Sequence, residues 1–311
     1  RFAVGAAGST TAGLAYAGSI PGGDTQATEE WNAGLPVGAW STGGALNTAR
    51  KGLGGSGLQT AALAFGGQDG PNTGATELYD GTSWTELNDL NTARNSLGGV
   101  GTSTSALGFG GEPITGATES WNGTNWTEVA DLNTSRYGFA GNSIGADNTS
   151  ALAAGGATPP ETAATELWNG SSWTEVNDLN SGRSGIGGFG IATAAIAAGG
   201  YNNQAITESW NGTSWTEVND MNLGRYNLGA AGVQALGIVF GGANPAPNTA
   251  ATELWNGTSW TEVNDLNTGR GALAAAGTQP AGLAFGGTPP TTAATEEWSN
   301  QTFTTKTVST D

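Results

Sequence analysis

Hydrophobic and polar positions alternate over short segments along this chain, without the wider spacing of a helical stripe. Within residues 225–269, "RYNLGAAG" and "ALGIVFGG" are small and mostly apolar, whereas "TELWN" and "WTEV" set a Trp among polar residues. Short segments of this kind, bounded by Gly and Asn, indicate β-strands. Asn256-Gly257 between the last two segments is a strong hairpin signal, because both residues tolerate positive φ. The pattern predicts four strands, a to d, in this stretch.

The same four-strand pattern recurs along all 311 residues. A Thr-Glu-x-aromatic step occurs seven times, at spacings of 48, 42, 47, 42, 45 and 43 residues, with its Glu at Glu29, Glu77, Glu119, Glu166, Glu208, Glu253 and Glu296. A period in the forties indicates an array of one repeated unit, and four-stranded propeller blades are the β candidates. The predicted blades are about 1–49, 50–93, 94–135, 136–182, 183–224, 225–269 and 270–311.

The distribution of side-chain size fits wedge-shaped blades. Strands a and b hold Gly and Ala, which suit a crowded axis, while strands c and d hold the Trp residues that fill the wider gap near the rim. The chain begins at its own strand a, since residues 1–8 align with residues 270–277, and Phe303 stands where Trp260 stands one repeat earlier. We therefore expect one all-β domain, a seven-bladed propeller with four antiparallel strands per blade, closed without strand exchange.

The repeat resembles the kelch motif: a Gly pair ends strand b, an aromatic lies in c, a Trp lies in d, and an Arg opens the next strand a. The repeated sequence "WNGTSWTEVNDLNT", with its Ala/Thr/Gly-rich connections, also resembles kelch-like repeat proteins of environmental phage genomes, which are often virion or tail-fibre components. Some kelch folds are copper oxidases that need His and a Cys-linked Tyr. This chain has no His and no Cys, so that activity is excluded.

Residues that recur in every blade are expected to be structural. Aromatics at fixed repeat positions usually fill sheet interfaces, so we predict that pairs such as Trp168/Trp173 form the core; a platform for sugar rings is the alternative. A register shifted by one residue keeps Glu166 and Glu175 apart, and the sequence does not choose the loop type; with a four-residue c–d loop, Glu166 faces Glu175 and like charges oppose each other. A cation is then needed, and the candidates are Arg1, Arg50, Arg94, Arg136, Arg183, Arg225 and Arg270, shared with these Glu residues or with the neighbouring Asp residues.

Composition limits the function classes. The net charge is −17, so an electrostatic footprint for nucleic acid is absent and insertion into an anionic membrane is disfavoured. A glycosidase needs one special carboxylate pair, whereas the Glu pair here recurs on five blades. We predict no enzyme activity, no catalytic residue, no metal and no cofactor; Ca²⁺ held by oxygen ligands is the one alternative. The Asn-x-Ser/Thr sequences fall where a hairpin turn needs Asn-Gly anyway.

Function is then expected in the loops that differ between copies, because binding residues tend to lie on loops held by a rigid frame. The b–c loops differ most, and they share one face with the d–a loops. The candidate ligand-binding residues on this face are Asp69, Asn72, Glu112, Tyr201, Asn202, Asn203 and Asn244.

The sequence therefore predicts a non-enzymatic binding or structural module at a virion or an extracellular surface, in particular as part of a phage particle or fibre. Its expected partners are a host-surface glycan, bound with avidity through multivalent presentation, or other virion or surface proteins. The alternatives are a glycan-active hydrolase with its site in the central channel and a bacterial adhesin or lectin.

Overall fold

The computed structural model describes residues 5–8, 12–20, 23–32, 38–139, 142–244 and 248–300. The chain divides into two compact units, whereas the sequence predicts one domain. The first unit comprises Arg1–Val37 with Asn300–Asp311, and the second is Gly38–Ser299. In the first, three antiparallel strands form a sheet in chain order, namely β1 (Gly5–Gly8), β2 (Ala12–Ile20) and β3 (Gly23–Asn32).

The second unit is built from six four-stranded antiparallel sheets, counted over its described residues. Sheet 1 has β5 (Gly54–Leu58), β6 (Ala61–Phe65), β7 (Thr76–Tyr79) and β8 (Trp84–Glu86); sheet 2 has β9 (Gly98–Gly101), β10 (Ala106–Phe109), β11 (Thr118–Trp121) and β12 (Trp126–Val129). Sheet 3 has β13 (Asn142–Asp147), β14 (Ser150–Ala154), β15 (Thr165–Trp168) and β16 (Trp173–Val176); sheet 4 has β17 (Gly187–Ile191), β18 (Ala194–Ala198), β19 (Thr207–Trp210) and β20 (Trp215–Val218). Sheet 5 has β21 (Gly229–Val233), β22 (Leu236–Phe240), β23 (Thr252–Trp255) and β24 (Trp260–Val263). Sheet 6 has β25 (Ala274–Thr278), β26 (Ala281–Phe285), β27 (Thr295–Asn300) and, as its outer strand, β4 (Gly38–Thr42).

The six sheets close into a ring through their first strands. Each first strand contacts the next one, and β25 contacts β5, so the circle is complete within this unit. Between sheets 3 and 4 the contact tightens into a parallel pairing of β13 with β17. An all-β ring of four-stranded sheets is thus confirmed.

The prediction of seven blades closed without strand exchange is wrong. Sheet 6 takes its fourth strand from β4, at the start of this unit, so the ring closes by exchange after six sheets. Trp40 is the physical reason: its indole packs against Trp298 of β27, with ring centroids 5.5 Å apart, and so supplies the outer Trp that the last repeat lacks. The predicted blade at 1–49 therefore loses its outer strand to sheet 6. Arg1 and Phe303, which entered the prediction, lie outside the described residues.

Small residues are required near the axis. A Cβ added at Gly99 of β9 would come within 2.7 Å of the Gly55 nitrogen in β5, so neighbouring first strands leave no space for a side chain there. Towards the rim, hydrophobic clusters lie between successive sheets, each holding an inner Phe, Leu or Ile and the outer aromatic pair. The predicted gradient from small to large side chains is confirmed. Over the described residues, no helix long and apolar enough to cross a bilayer is found.

Candidate functional site

In sheets 1 to 6, the Trp residues of strands c and d are core residues, as predicted; the side chain of Trp31 lies outside the described part of the chain. Trp168 and Trp173 are 1% and 5% exposed, and their rings lie 5.4 Å apart. Each outer Trp also donates its indole N–H to the strand-c Thr of the preceding sheet, as in Trp173 to Thr118 at 3.1 Å. The same bond closes the ring, from Trp84 to Thr295 and from Trp40 to Thr252, both at 3.0 Å. These indoles are buried between the sheets and are not exposed to a sugar ligand.

The carboxylate pairs are structural as well. Glu166 pairs with Glu175 and Trp168 with Trp173, which is the register of a four-residue loop. Glu166 is buried and ion-paired with Arg136 at 2.5 Å, while Glu175 is exposed. The predicted cation is therefore an Arg bound to a strand-c Glu.

The same pairing recurs in every sheet, and its second hydrogen-bond partner was missed in the sequence. Glu166 accepts bonds from the backbone N–H and the side-chain amide of Asn133, at 2.7 and 2.8 Å. This Asn always stands three residues before the Arg, a fixed spacing that could have revealed it. The six Asn/Arg/Glu sets are Asn47/Arg50/Glu77, Asn91/Arg94/Glu119, Asn133/Arg136/Glu166, Asn180/Arg183/Glu208, Asn222/Arg225/Glu253 and Asn267/Arg270/Glu296.

Electrostatics agree with a structural role. Burial lowers the pKa of Arg136, and the negative charge of Glu166 opposes that change. Burial lowers the pKa of Arg50, Arg183 and Arg225 in the same way. A guanidinium starts from a pKa so high that it stays charged regardless. These groups hold the ring together and are not placed to transfer protons.

Two residues after each Arg, the backbone forms a closed hydrogen-bonded circle around the axis, which we term the axial ring. Its members are Gly52, Ser96, Gly138, Gly185, Asn227 and Ala272. Each backbone N–H donates to the carbonyl of the neighbouring member: Gly52 to Ala272 at 2.8 Å, then Ala272 to Asn227 at 2.9 Å, and so on round to Ser96, which donates to Gly52 at 2.6 Å. All six have left-handed φ, between 51° and 84°. The axial ring gives one end of the axis a rigid rim.

The surface around that rim is formed by the b–c loops and by the residue between each Arg and the axial ring, which is half-buried in four sheets and buried at Asn95 and Gly271. We call this surface the axial face. Backbone bonds join the two: Lys51 with Gln68, Asn95 with Glu112, Tyr137 with Ala157, and Tyr226 with Ala243 pair in both directions, and Tyr201 donates to Ser184. The b–c and d–a connections therefore share one face, as the strand order requires.

The predicted site residues all lie on b–c loops of this face, but their surroundings differ. Asp69 and Glu112 are exposed, and Asn244 is half-buried. The side chain of Asn72 forms two hydrogen bonds to the next sheet. Its amide donates to the Glu112 carbonyl at 2.8 Å, and its oxygen accepts from the Asn95 side-chain amide at 2.8 Å. Asn72 is therefore less available to a ligand than the sequence suggests.

Tyr201, Asn202 and Asn203 form a b–c loop in which Tyr201 and Asn202 are exposed and Asn203 is half-buried. Asn202 and Asn203 have left-handed φ of 65° and 58°, which turns the loop sharply and leaves Tyr201 46% exposed. The Tyr201 ring meets that of Tyr226 edge to face, with centroids 5.2 Å apart. The side-chain oxygen of Asn203 is buried and accepts no hydrogen bond from the described residues. The exposed Tyr201 ring offers an aromatic surface of the kind that packs against a sugar.

Four residues of this face were missed in the sequence: Lys51, Tyr137, Ser184 and Tyr226. They follow the recurring Arg directly, and that position reads Lys, Asn, Tyr, Ser, Tyr and Gly in successive sheets. Variation directly after a constant Arg is the same kind of signal that selected the b–c loops. Around the axial ring, Ser184 falls between Tyr137 and Tyr226, so a small residue separates two aromatic ones.

The cavity at the opposite end of the axis is lined almost entirely by small apolar residues. A cavity of about 90 Å³, with room for a few water molecules, is lined there by the ends of all six first strands. The lining is Gly and Ala with Ser56 and Val100, and it contains no titratable side chain. In the described part of the chain, no three acidic side chains come together as a metal site would require.

Comparison with known proteins bears on the fold. No family model matches the sequence, and no curated protein matches it. Among solved structures, one described as "Structure of YjhT" matches with a TM-score of 0.65 at 12% sequence identity, covering 82% of this chain and 96% of that chain. The fold is a β-propeller. At this identity the likeness extends to the fold alone.

Proposed function

We propose that this protein is a non-enzymatic, kelch-like binding module of a virion or fibre, and that its axial face recognises a host-surface glycan. One observation carries the proposal. The recurring Trp, Arg, Glu and Asn side chains pack or bond inside the ring, whereas the exposed Tyr201 and the half-buried Tyr226 contact each other on a face where the copies differ. A tyrosine supplies a large contact area with little loss of conformational entropy.

A hydrolase with its site in the central channel is less well supported. Glycoside hydrolysis requires two carboxyl groups on either side of the bond that is cleaved. The cavity at the far end of the axis has none, and the exposed acids Asp69 and Glu112 belong to separate loops of the axial face. Binding without cleavage fits these surroundings better.

The test uses the full-length protein and a panel of bacterial surface polysaccharides, with retention measured by biolayer interferometry and reducing ends measured over time. We expect retention without new reducing ends. Tyr201→Ala should weaken binding about five- to tenfold, the range expected of one aromatic contact, and Tyr201→Phe should restore it. Leu58→Ala, which removes an exposed side chain on the opposite face, is the matched control and should change nothing.

Three results would overturn the proposal: release of reducing ends, equal loss in the Tyr201 and Leu58 variants, or retention of no polysaccharide. The last, combined with tight binding to other virion proteins, would favour a purely structural role.

A further inference from the structure

Lys51 is chemically isolated within a strongly acidic protein. The formal charge is −17. Among the described residues there are seven cations; six are Arg residues buried in Arg–Glu pairs, and the seventh is Lys51, which forms no ion pair with any described residue. Its side chain is half-exposed. The positive charge that the described surface offers to a ligand is therefore concentrated at one place on the axial face.

Lys51 is anchored at the rim of the axial ring. It precedes Gly52, and its backbone exchanges hydrogen bonds with Gln68 at 3.0 and 2.9 Å. At the same position in other sheets the side chain reaches the b–c loop of the preceding sheet: Asn95 bonds Asn72, and Tyr226 packs on Tyr201. For Lys51 that loop is residues 288–294, "TPPTTAA", which has no charged residue. Nothing in that loop neutralises the ammonium group.

The tyrosines of the proposed sugar-binding surface lie across the axis from this charge. Counting around the axial ring, Gly185 lies opposite Gly52, so Ser184, with Tyr137 and Tyr226 on either side, lies opposite Lys51. Hydrogen-bonded neighbours about 5.5 Å apart give a six-membered circle about 11 Å across. A short oligosaccharide can therefore contact the tyrosines and the lysine together.

We propose that the glycan recognised by the axial face is acidic, and that a carboxylate, sulfate or phosphate group on it pairs with Lys51. This inference rests on the proposed function. Charge-assisted hydrogen bonds to an ammonium group are shorter and stronger than neutral ones. Charges elsewhere on the protein repel such a ligand only weakly at physiological salt, because the Debye length there is about 8 Å. Asp69, which follows the Gln68 partner, is the nearest acid along the chain and opposes the interaction.

The experiment compares ligands that differ only in charge: polygalacturonate against its carboxyl-reduced form, and dextran sulfate against dextran, each with the full-length protein. We expect the charged member of at least one pair to bind more tightly. Lys51→Gln should lower that affinity about three- to tenfold and flatten its salt dependence, Lys51→Arg should keep it, and Asp69→Asn should raise it.

The two proposals fail in different ways. Equal binding of charged and neutral members, with Lys51→Gln unchanged and Tyr201→Ala still weakened, overturns the acidic ligand and leaves glycan binding intact. A charge preference that Lys51→Gln does not alter also overturns the role of Lys51. If no member of either pair and no polysaccharide of the panel binds, both proposals fail.

Discussion

Arg94 and Arg136 stand in neighbouring sheets and do the same thing: each is buried and paired with a strand-c Glu at 2.5 Å. The side chains directly after them, Asn95 and Tyr137, differ in size and chemistry, although their backbones pair with the b–c loops in the same way. One position along the chain separates a part of the molecule that repeats from a part that does not. The difference teaches that repetition marks what holds the sheets together, and that the copies diverge where the chain reaches the axial face.

The sharpest test of this comparison sets a core Trp against a face Tyr. Trp173→Ala removes a buried indole and its bond to Thr118, so the free energy of unfolding should fall by roughly 3–5 kcal/mol. Tyr201→Ala should change it by less than about 0.5 kcal/mol, as exposed substitutions do. Urea unfolding followed by Trp fluorescence measures both. Similar losses of unfolding free energy for the two variants would contradict the distinction between the repeated core and the axial face.

The next test concerns the buried ion pair. Arg136→Met leaves Glu166 charged and buried without its partner, which should cost about 3–5 kcal/mol. Adding Glu166→Gln should recover part of that loss. Glu175→Gln on the opposing strand is the control and should cost nothing, since this Glu is exposed and its removal relieves a like-charge contact. Chemical denaturation of all four proteins decides, and a loss below about 1 kcal/mol for Arg136→Met would contradict the pairing.

Sheet 1 departs from its neighbours, since Tyr79 stands where the others have Trp. Burial, helped by a hydrogen bond to Glu297, raises the pKa of Tyr79 to about 12. An unfolded Tyr has a pKa near 10, so the folded state keeps its proton longer. The associated stability is present below about pH 10 and is lost as the pH rises to about 12, amounting to about 2–3 kcal/mol. Comparing the pH dependence of unfolding for wild type and Tyr79→Phe isolates this contribution; identical alkaline profiles would refute it.

The smallest expected effect lies in the axial ring. Ala272 has a φ of 51°, a conformation that costs an ordinary L-residue about 1–2 kcal/mol. Ala272→Gly should therefore stabilise the protein by up to about 1 kcal/mol. Ala275→Gly, in the extended strand β25, should destabilise it by a similar amount. Thermal unfolding of the two variants should move in opposite directions, and a shared direction would argue against strain in the ring.

Much of the architecture follows from the sequence, because it depends on local patterns. The core required only recurrence, whereas the register of the c–d hairpin stayed open in the sequence and was settled by the pairing of Trp168 with Trp173. The number of blades could not be read the same way, since Trp31 and Trp40 resemble one repeat. Trp40 lies ten residues before Arg50, as Trp84 does before Arg94. That spacing assigns Trp40 to the ring, but which distant strand it joins is a non-local choice.

The candidate site was predicted only as a face. Loop variability selected Tyr201, Asn202 and Asn203, and in the structure Tyr201 contacts Tyr226. The sequence could not show that the amide of Asn72 is hydrogen-bonded between sheets, because those bonds depend on Asn95 and Glu112 of the next sheet. Nor could it single out Lys51, whose importance lies in the burial of the six Arg residues in Arg–Glu pairs. Both facts arise from contacts across sheet boundaries.

Closure by β4 has a consequence for biosynthesis. Domains usually begin to fold from the amino-terminal side while translation proceeds, but β4 must wait for its partner β27, which ends at Asn300. Until the ribosome has released that strand, the nascent chain carries an unmatched edge and an uncovered Trp40. The ring is therefore expected to close late, when β4 from the start of the second unit pairs with β27 from its end.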